Sequence, residues 1–300
     1  MALSKIGSIV SISQIDAIYP TEKDLIYDLM ESGLLKKDRM CDKCGASMKL
    51  RSRGDGLEWR CRTSNKKDCS SKSVKAESWF RHSNLDFKTA LRIFVGFSSK
   101  LSGIQLEREL HLSHSTIVDW SSMIREICVG IADNYGMIGG DGKVVELDET
   151  AVHSRKYGRG IQKAPTVWIL GGLERGTRNV FATIVPNRTA KTMVPIIRKN
   201  VHAGSILVTD KWGSYNKLSQ YYSRHENLNH GTEFARTADD GLSVNTNSVE
   251  AAWARLKEPL KRGHGTTDDN LPGYIAEFVV RERESRNFLT KMLTSIVIKE

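Results

Sequence analysis

The sequence predicts an α/β protein: a mixed sheet with flanking helices, preceded by a small cysteine-bearing ribbon and a helical module. Three observations carry this expectation. Short β-branched runs alternate with helical runs from Lys143 onward. Four of the 5 cysteines fall between positions 41 and 69. Helical periodicity fills 85–135, and the glycine-rich stretch 136–142 separates it from the strands beyond.

Length and charge set the frame. The 300 residues suit two or three domains, and 39% hydrophobic content supports a core. Net charge is +10 with a pI of about 9.3, a balance that favours a polyanionic partner, nucleic acid first. The excess is concentrated: residues 41–82 carry 11 Lys and Arg against 5 Asp and Glu, leaving +6 in that stretch. No apolar run spans a bilayer and the N-terminus lacks a signal-peptide pattern, so an intracellular protein without a membrane partner is expected. Clustered, metal-spaced cysteines agree with a reducing compartment.

Residues 1–40 form an N-terminal helical segment, with Thr21 as helix cap and Gly33 as stop. Residues 41–82 read as a zinc ribbon. Cys41, Cys44, Cys61 and Cys69 can close a tetrahedral site around one structural Zn²⁺. Strands 49–53 and 58–62 make a hairpin between the cysteine pairs, and its Arg60 and Arg62 are candidate phosphate contacts. His82 is a spare ligand candidate, more simply an exposed histidine.

Residues 83–136 read as a helix-turn-helix domain. Phe87, Ala90, Leu91, Phe94 and Val95 share one face, Ile104, Leu106 and Leu110 mark a second helix, and Ser113 caps a third. Ile117, Trp120, Ile124 and Ile127 of that third helix point inward, which turns His114 and Ser115 outward as candidate base contacts. A plain three-helix bundle has the same pattern. The adjacent basic ribbon favours DNA.

Residues 143–290 form the last domain. Its order is β-β-β-α-β-α-β-α, that of a ribonuclease-H-like mixed sheet, in which the first and fourth strands become neighbours. Asp148 and Asp210, each at a strand end, then lie side by side. Glu149 follows Asp148 and faces the opposite side of the sheet, so only one of the two points into the site and Glu149 is the alternative ligand. Glu250 opens a helical run, and Lys257 lies two turns later on the same face. Carboxylates of this kind suit a pair of hard divalent cations, Mg²⁺ or Mn²⁺, for phosphodiester chemistry. Arg155 and Lys156 belong to a basic loop read as a DNA contact in preference to a merely solvated hairpin, and Trp212 and Tyr215 read as core in preference to base-stacking groups.

In this order the motifs resemble the Merlin superfamily of transposases and the related bacterial insertion-sequence enzymes. Glu146-Leu147-Asp148-Glu149, Val208-Thr209-Asp210 with Tyr215, and Asn245 to Glu250 with Trp253 and Lys257 carry the resemblance. Upstream, Cys41 to Cys44, Trp59-Arg60-Cys61 and Ser78-Trp79-Phe80 extend it across about residues 20–285. It implies an Asp-Asp-Glu triad at Asp148, Asp210 and Glu250 with two metal ions per site. It also implies cut-and-paste transposition on double-stranded DNA, binding terminal inverted repeats and target in a synaptic complex of two or more copies. Lys257 is then a DNA contact beside the metals. Where this chain has Asn245 the family often has histidine. Location depends on the host: nucleus in a eukaryote, cytoplasm or nucleoid in a bacterium. The alternatives are a domesticated DNA-binding protein that keeps the fold without transposing, or a transcription factor without enzyme activity.

Overall fold

The computed structural model describes residues 5–62, 68–152, 166–228, 235–263 and 265–298. It divides into two compact units, Met1–Ile127 with Arg286–Glu300, and Cys128–Ser285.

The first unit starts with α1 (Gln14–Ile18) and α2 (Glu22–Glu31). Thr21 and Asp24 form a reciprocal capping box at the start of α2, and Gly33 takes φ +73° just past its end. Three antiparallel strands come next, β1 (Lys49–Arg53), β2 (Gly56–Arg62) and β3 (Asp68–Ser73). Gly54 at φ +57° makes the β1–β2 turn tight enough to pair Arg53 with Gly56. Strand β3, polar and poor in β-branched residues, has no counterpart in the sequence expectations.

Three helices complete the module: α3 (Phe87–Ser98), α4 (Gly103–Leu110) and α5 (His114–Ala132), the last belonging to this unit as far as Ile127. The inward residues expected on α3 and α5 are all buried, whereas Ile104 of α4 is exposed. Between α4 and α5 the chain turns at His111, which adopts the left-handed conformation (φ 53°). Ser113 Oγ then accepts from the Thr116 N–H (3.3 Å), capping α5. Trp79, at the far end of the ribbon, packs edge-on against Phe94 and Trp120 at centroid distances of 5.3 and 5.6 Å. A C-terminal helix, Phe288–Ser295, stacks Phe288 on Phe97 in this same unit.

The second unit is a five-stranded mixed sheet between helices. Its strands are β4 (Val144–Val152), β5 (Val167–Glu174), β6 (Val180–Val185), β7 (Ile206–Asp210) and β8 (Arg224–Leu228), in the order β6-β5-β4-β7-β8. The first three are antiparallel; β4–β7 and β7–β8 are parallel. A crossover through α6 (Ala190–Asn200) carries the chain from edge strand β6 to β7, on the far side of β4. A short ribbon, β9 (Arg236–Thr237) with β10 (Ser243–Val244), leads into α7 (Asn247–Arg262) and α8 (Leu271–Glu284).

Alternation along β4 separates two cores. Val145 and Leu147 meet Met193 and Ile197 of α6 and Tyr215 and Leu218 of the 3-10 helix Gly213–Gln220. Val152, on the other face, joins Val249, Trp253 and Leu256 of α7 and Ile275 and Val279 of α8. Helix α8 has no counterpart among the sequence expectations either; its Pro272 falls in the first helical turn, where proline is tolerated. No helix among the described residues is long and apolar enough to cross a membrane.

Candidate active site

Parallel pairing fixes the first two acids. Val144, Val145 and Glu146 of β4 lie opposite Ile206, Leu207 and Val208 of β7. Asp148 and Asp210 each come two residues later and so project from the same face of adjacent strands. Burial pushes the Asp148 carboxyl up to about 7, and the neighbouring Glu149 and Asp210 charges push the same way. β4 runs on to Val152, so Asp148 lies mid-strand and not at the strand end expected from the sequence, while Asp210 does end β7. Three carboxyl groups thus crowd the middle of β4 and the end of β7.

Neighbouring side chains aim these acids. The Trp253 indole Nε1–H donates to Asp148 Oδ2 (2.9 Å). It fits because Gly171 lies opposite Asp148 on β5: a Cβ there would stand 2.4 Å from Trp253 Cη2 and 2.4 Å from the Phe181 carbonyl oxygen. Glu149 faces the other way, as alternation expects, and its Oε2 accepts from Tyr215 Oη (2.6 Å). Its Oε1 is buried with no hydrogen-bond partner among the described residues. Burial first, then Asp210, raise the Glu149 pKa, and the Arg188 charge opposes them.

Glu250 and Lys257 come from α7. Glu250 sits in the first turn, exposed, its Oε1 accepting from Thr246 Oγ1 (3.1 Å). Trp253 and Lys257, three and seven residues on, share its side of the helix. Lys257 is half-buried, which lowers its pKa; Asp148 is close enough to act against that shift. Asp148, Asp210 and Lys257 therefore share one electrostatic environment, and Glu250 occupies the exposed end of the same helix face.

One buried acid had no assigned role in the sequence. Glu146 is fully buried, yet its carboxylate accepts from the Ser248 N–H (2.9 Å), the Val249 N–H (3.0 Å) and the Ser248 hydroxyl (3.0 Å). Arg175 Nε donates to the same carboxylate (2.8 Å), and its other nitrogens hold the Ser243 and Asn245 carbonyls (2.6 and 2.9 Å). A charge on β4 thus caps the positive end of α7, while an arginine fixes the loop that enters it. Two-residue spacing from Asp148 was the available signal; the partner 102 residues away was not.

Residues 135–283 match the family model of the ISXO2-like transposase domain. An uncharacterized transposase-like protein of Haemophilus influenzae is 31% identical over 98 residues, 33% of this chain and 76% of that protein. The chain belongs to the ISXO2-like transposase family. That places it among DDE-type insertion-sequence transposases, in agreement with the resemblance drawn from its motifs.

In this family member the four ribbon cysteines converge, all four sulfurs lying within 4.8 Å of one another. Cys41 Sγ is 3.8 Å from Cys69 Sγ, and Cys44 Sγ is 3.5 Å from Cys61 Sγ. The Ser70 hydroxyl and the Lys43 and Cys44 N–H groups lower the Cys41 thiol to about 6, while the neighbouring sulfurs and burial raise Cys61 and Cys69. Such a cluster can hold one structural metal ion such as zinc. His82 is exposed and outside it.

The proposed DNA contacts fall in different settings. Arg60 and Arg62 both direct Nε to Asp68 Oδ1, each at 3.1 Å, so an acid already faces them. His114 and Ser115 are exposed at the start of α5, with His114 Nδ1 2.7 Å from Glu107 Oε1. Arg155 and Lys156 lie outside the described residues. Tyr215 is core as expected, but Trp212 is not: it is 43% exposed.

Proposed function

We propose that this chain is an active transposase that cleaves its element's ends and joins them to target DNA, with Asp148, Asp210 and Glu250 as its acidic triad. The observation that carries the reading is the placement of Asp148 and Asp210, each two residues beyond the paired Glu146 and Val208, on one face of adjacent parallel strands, where burial and the neighbouring Glu149 and Asp210 charges push the Asp148 carboxyl up to about 7. A site that crowds half-buried carboxylates in this way suits hard cations, which neutralise what the protein alone leaves repulsive. Mg²⁺ or Mn²⁺, two per site, would be held by Asp148, Asp210 and Glu250 and supplies charge stabilisation to the attacking and departing oxygens of the phosphodiester.

The rest of the chain positions DNA. Lys257 steers a phosphate to the acids, Trp253 keeps Asp148 in one orientation, and Glu146 with Arg175 holds the start of α7 against the sheet. Zn²⁺ on Cys41, Cys44, Cys61 and Cys69 stiffens a ribbon whose Arg60 and Arg62 contact phosphates. His114 and Ser115 enter the major groove to read the terminal repeats, and Arg155 and Lys156 add phosphate contacts. Two or more copies pair the two ends in a synaptic complex. A transcription factor or domesticated binder gives the half-buried acid pair no purpose.

The experiment is cleavage of duplexes carrying the inverted repeats that flank this chain's own gene, with Mg²⁺, by the purified chain. Nicks at the repeat termini, absent with Asp148→Asn, are expected. Tight repeat binding without any nick, under Mg²⁺ or Mn²⁺, would transfer support to the non-enzymatic alternative.

A further inference from the structure

Beside the acids stands an aromatic feature that the catalytic reading leaves unused. Trp212 follows Asp210 by two residues and is 43% exposed, a large apolar side chain partly open to solvent. The Arg188 guanidinium carbon lies 4.9 Å from its ring centroid and 3.8 Å from that of Trp168. Backbone contacts fix the arrangement: the Arg188 carbonyl accepts from Ser214 Oγ (2.6 Å) and from Trp212 Nε1 (3.5 Å). Trp168 sits on β5 opposite Ala151, three residues beyond Asp148. The Arg188 charge also reaches Glu149, on the face of β4 opposite Asp148, so the stack's link to the Asp148–Asp210 pair is the two-residue step from Asp210 at the end of β7 to Trp212.

Arginine stacked on indole orders both side chains while keeping a positive charge at the surface. A held indole with an open surface accepts any base by stacking, whereas a paired base inside a duplex offers it no free face. We propose that Trp212, backed by Arg188 and Trp168, is a binding site for an unpaired nucleobase of the strand held at the Asp148–Asp210 acids. This rests on the transposase reading for why a strand is there, but the stacking is tested without cleavage.

The probe is a fluorescein-labelled oligothymidylate and the same strand built with abasic positions, titrated onto the full chain with Ca²⁺ in place of Mg²⁺. The wild-type chain should bind the base-bearing strand more tightly, and Trp212→Ala should lose roughly five- to 150-fold of that affinity. Its binding of the abasic strand should not change. Trp212→Phe should keep most of the preference, which guards against a folding defect in the alanine variant. Equal wild-type binding of the two strands, or a preference that survives Trp212→Ala, overturns the proposal. Repeat cleavage distinguishes the two readings: a chain that nicks its ends without base preference loses the stack alone. A chain that shows the preference but never nicks loses the transposase reading alone.

Discussion

Glu146 Oε2 accepts the backbone N–H of Val249 at 3.0 Å, joining the middle of β4 to the first turn of α7 across 103 residues. The pair is buried, and Arg175 neutralises the acid from the other side. Removing one partner of such a group leaves an uncompensated charge and bare helix N–H groups. Glu146→Ala should therefore cost about 3–5 kcal/mol of stability, read as a lower urea midpoint. Glu146→Gln keeps an acceptor and should cost less. An alanine variant as stable as the wild type would show that α7 is held by its apolar face alone.

Zinc is the second prediction. Purified chain should contain about one zinc per molecule by elemental analysis, because four converging sulfurs close a tetrahedral site. Cys61→Ser should release it and weaken DNA binding while the second unit keeps its fold. Soluble, folded protein free of any metal would remove the ribbon's proposed ligand.

Asp148 gives a pH dependence. Its folded pKa of about 7 lies above the usual carboxylate range, so the folded state keeps a proton that the unfolded chain has lost. Stability from this group is full below about pH 4 and is lost as pH rises through about 7; the raised Glu149 acts in the same direction. Without divalent cations the melting temperature should fall over that window. Asp148→Asn keeps an acceptor for Trp253 and should gain up to about 4 kcal/mol at pH above 7, one pKa unit being about 1.4 kcal/mol. Mg²⁺ should raise the wild-type melting temperature and leave the variant's unchanged. A flat wild-type profile would mean the acids are less crowded than their burial implies.

The pairing of the two acid-bearing strands was legible because the connection order makes them neighbours, and the end of β7 at Asp210 was legible because a β-branched run stops there. The end of β4 was not: the strand continues past the acids to Val152, because pairing with β5 carries it on. The cysteine cluster was legible because its determinants are local: its ligands lie within 29 consecutive positions, from 41 to 69. Glu146 was not, because its meaning depends on which helix start arrives beside it. Trp212 reads as core in the sequence and is exposed in the fold, since hydrophobicity alone says nothing of an arginine stacked on its face. The exposed Ile104 shows the same limit: periodicity finds the helix, while only packing decides which apolar positions are covered.

DNA binding should be strongly salt-dependent, since neutralised phosphates release counterions. Arg60→Glu with Arg62→Glu should weaken binding to any sequence and lower the salt slope by about 1 for each phosphate no longer neutralised. Asp68 already faces both arginines, so Asp68→Asn should tighten binding, a consequence visible only in the fold. Changes at His114 or Ser115 should alter the preferred repeat sequence. Equal affinity of the wild-type chain for repeat and random DNA would move recognition away from α5.

The sharpest test sets the acids against one another. Asp148→Asn, Asp210→Asn and Glu250→Gln preserve shape and remove charge, and each should lose several powers of ten in cleavage while repeat binding persists. Lys257→Ala should fall less, because it steers a phosphate and holds no metal. Glu149→Gln is the internal control. Its carboxylate points to Tyr215, away from the Trp253–Asp148 contact, so the variant should cleave nearly as wild type. The outcome at Glu250 carries the most information, because that acid stands exposed in the first turn of α7 while Asp148 lies half-buried on the sheet. If Glu250→Gln cleaved normally while both aspartate variants were dead, the acidic site would be built from the strands alone. If Glu149→Gln were dead and Asp148→Asn active, the catalytic face of β4 would be the one toward Tyr215.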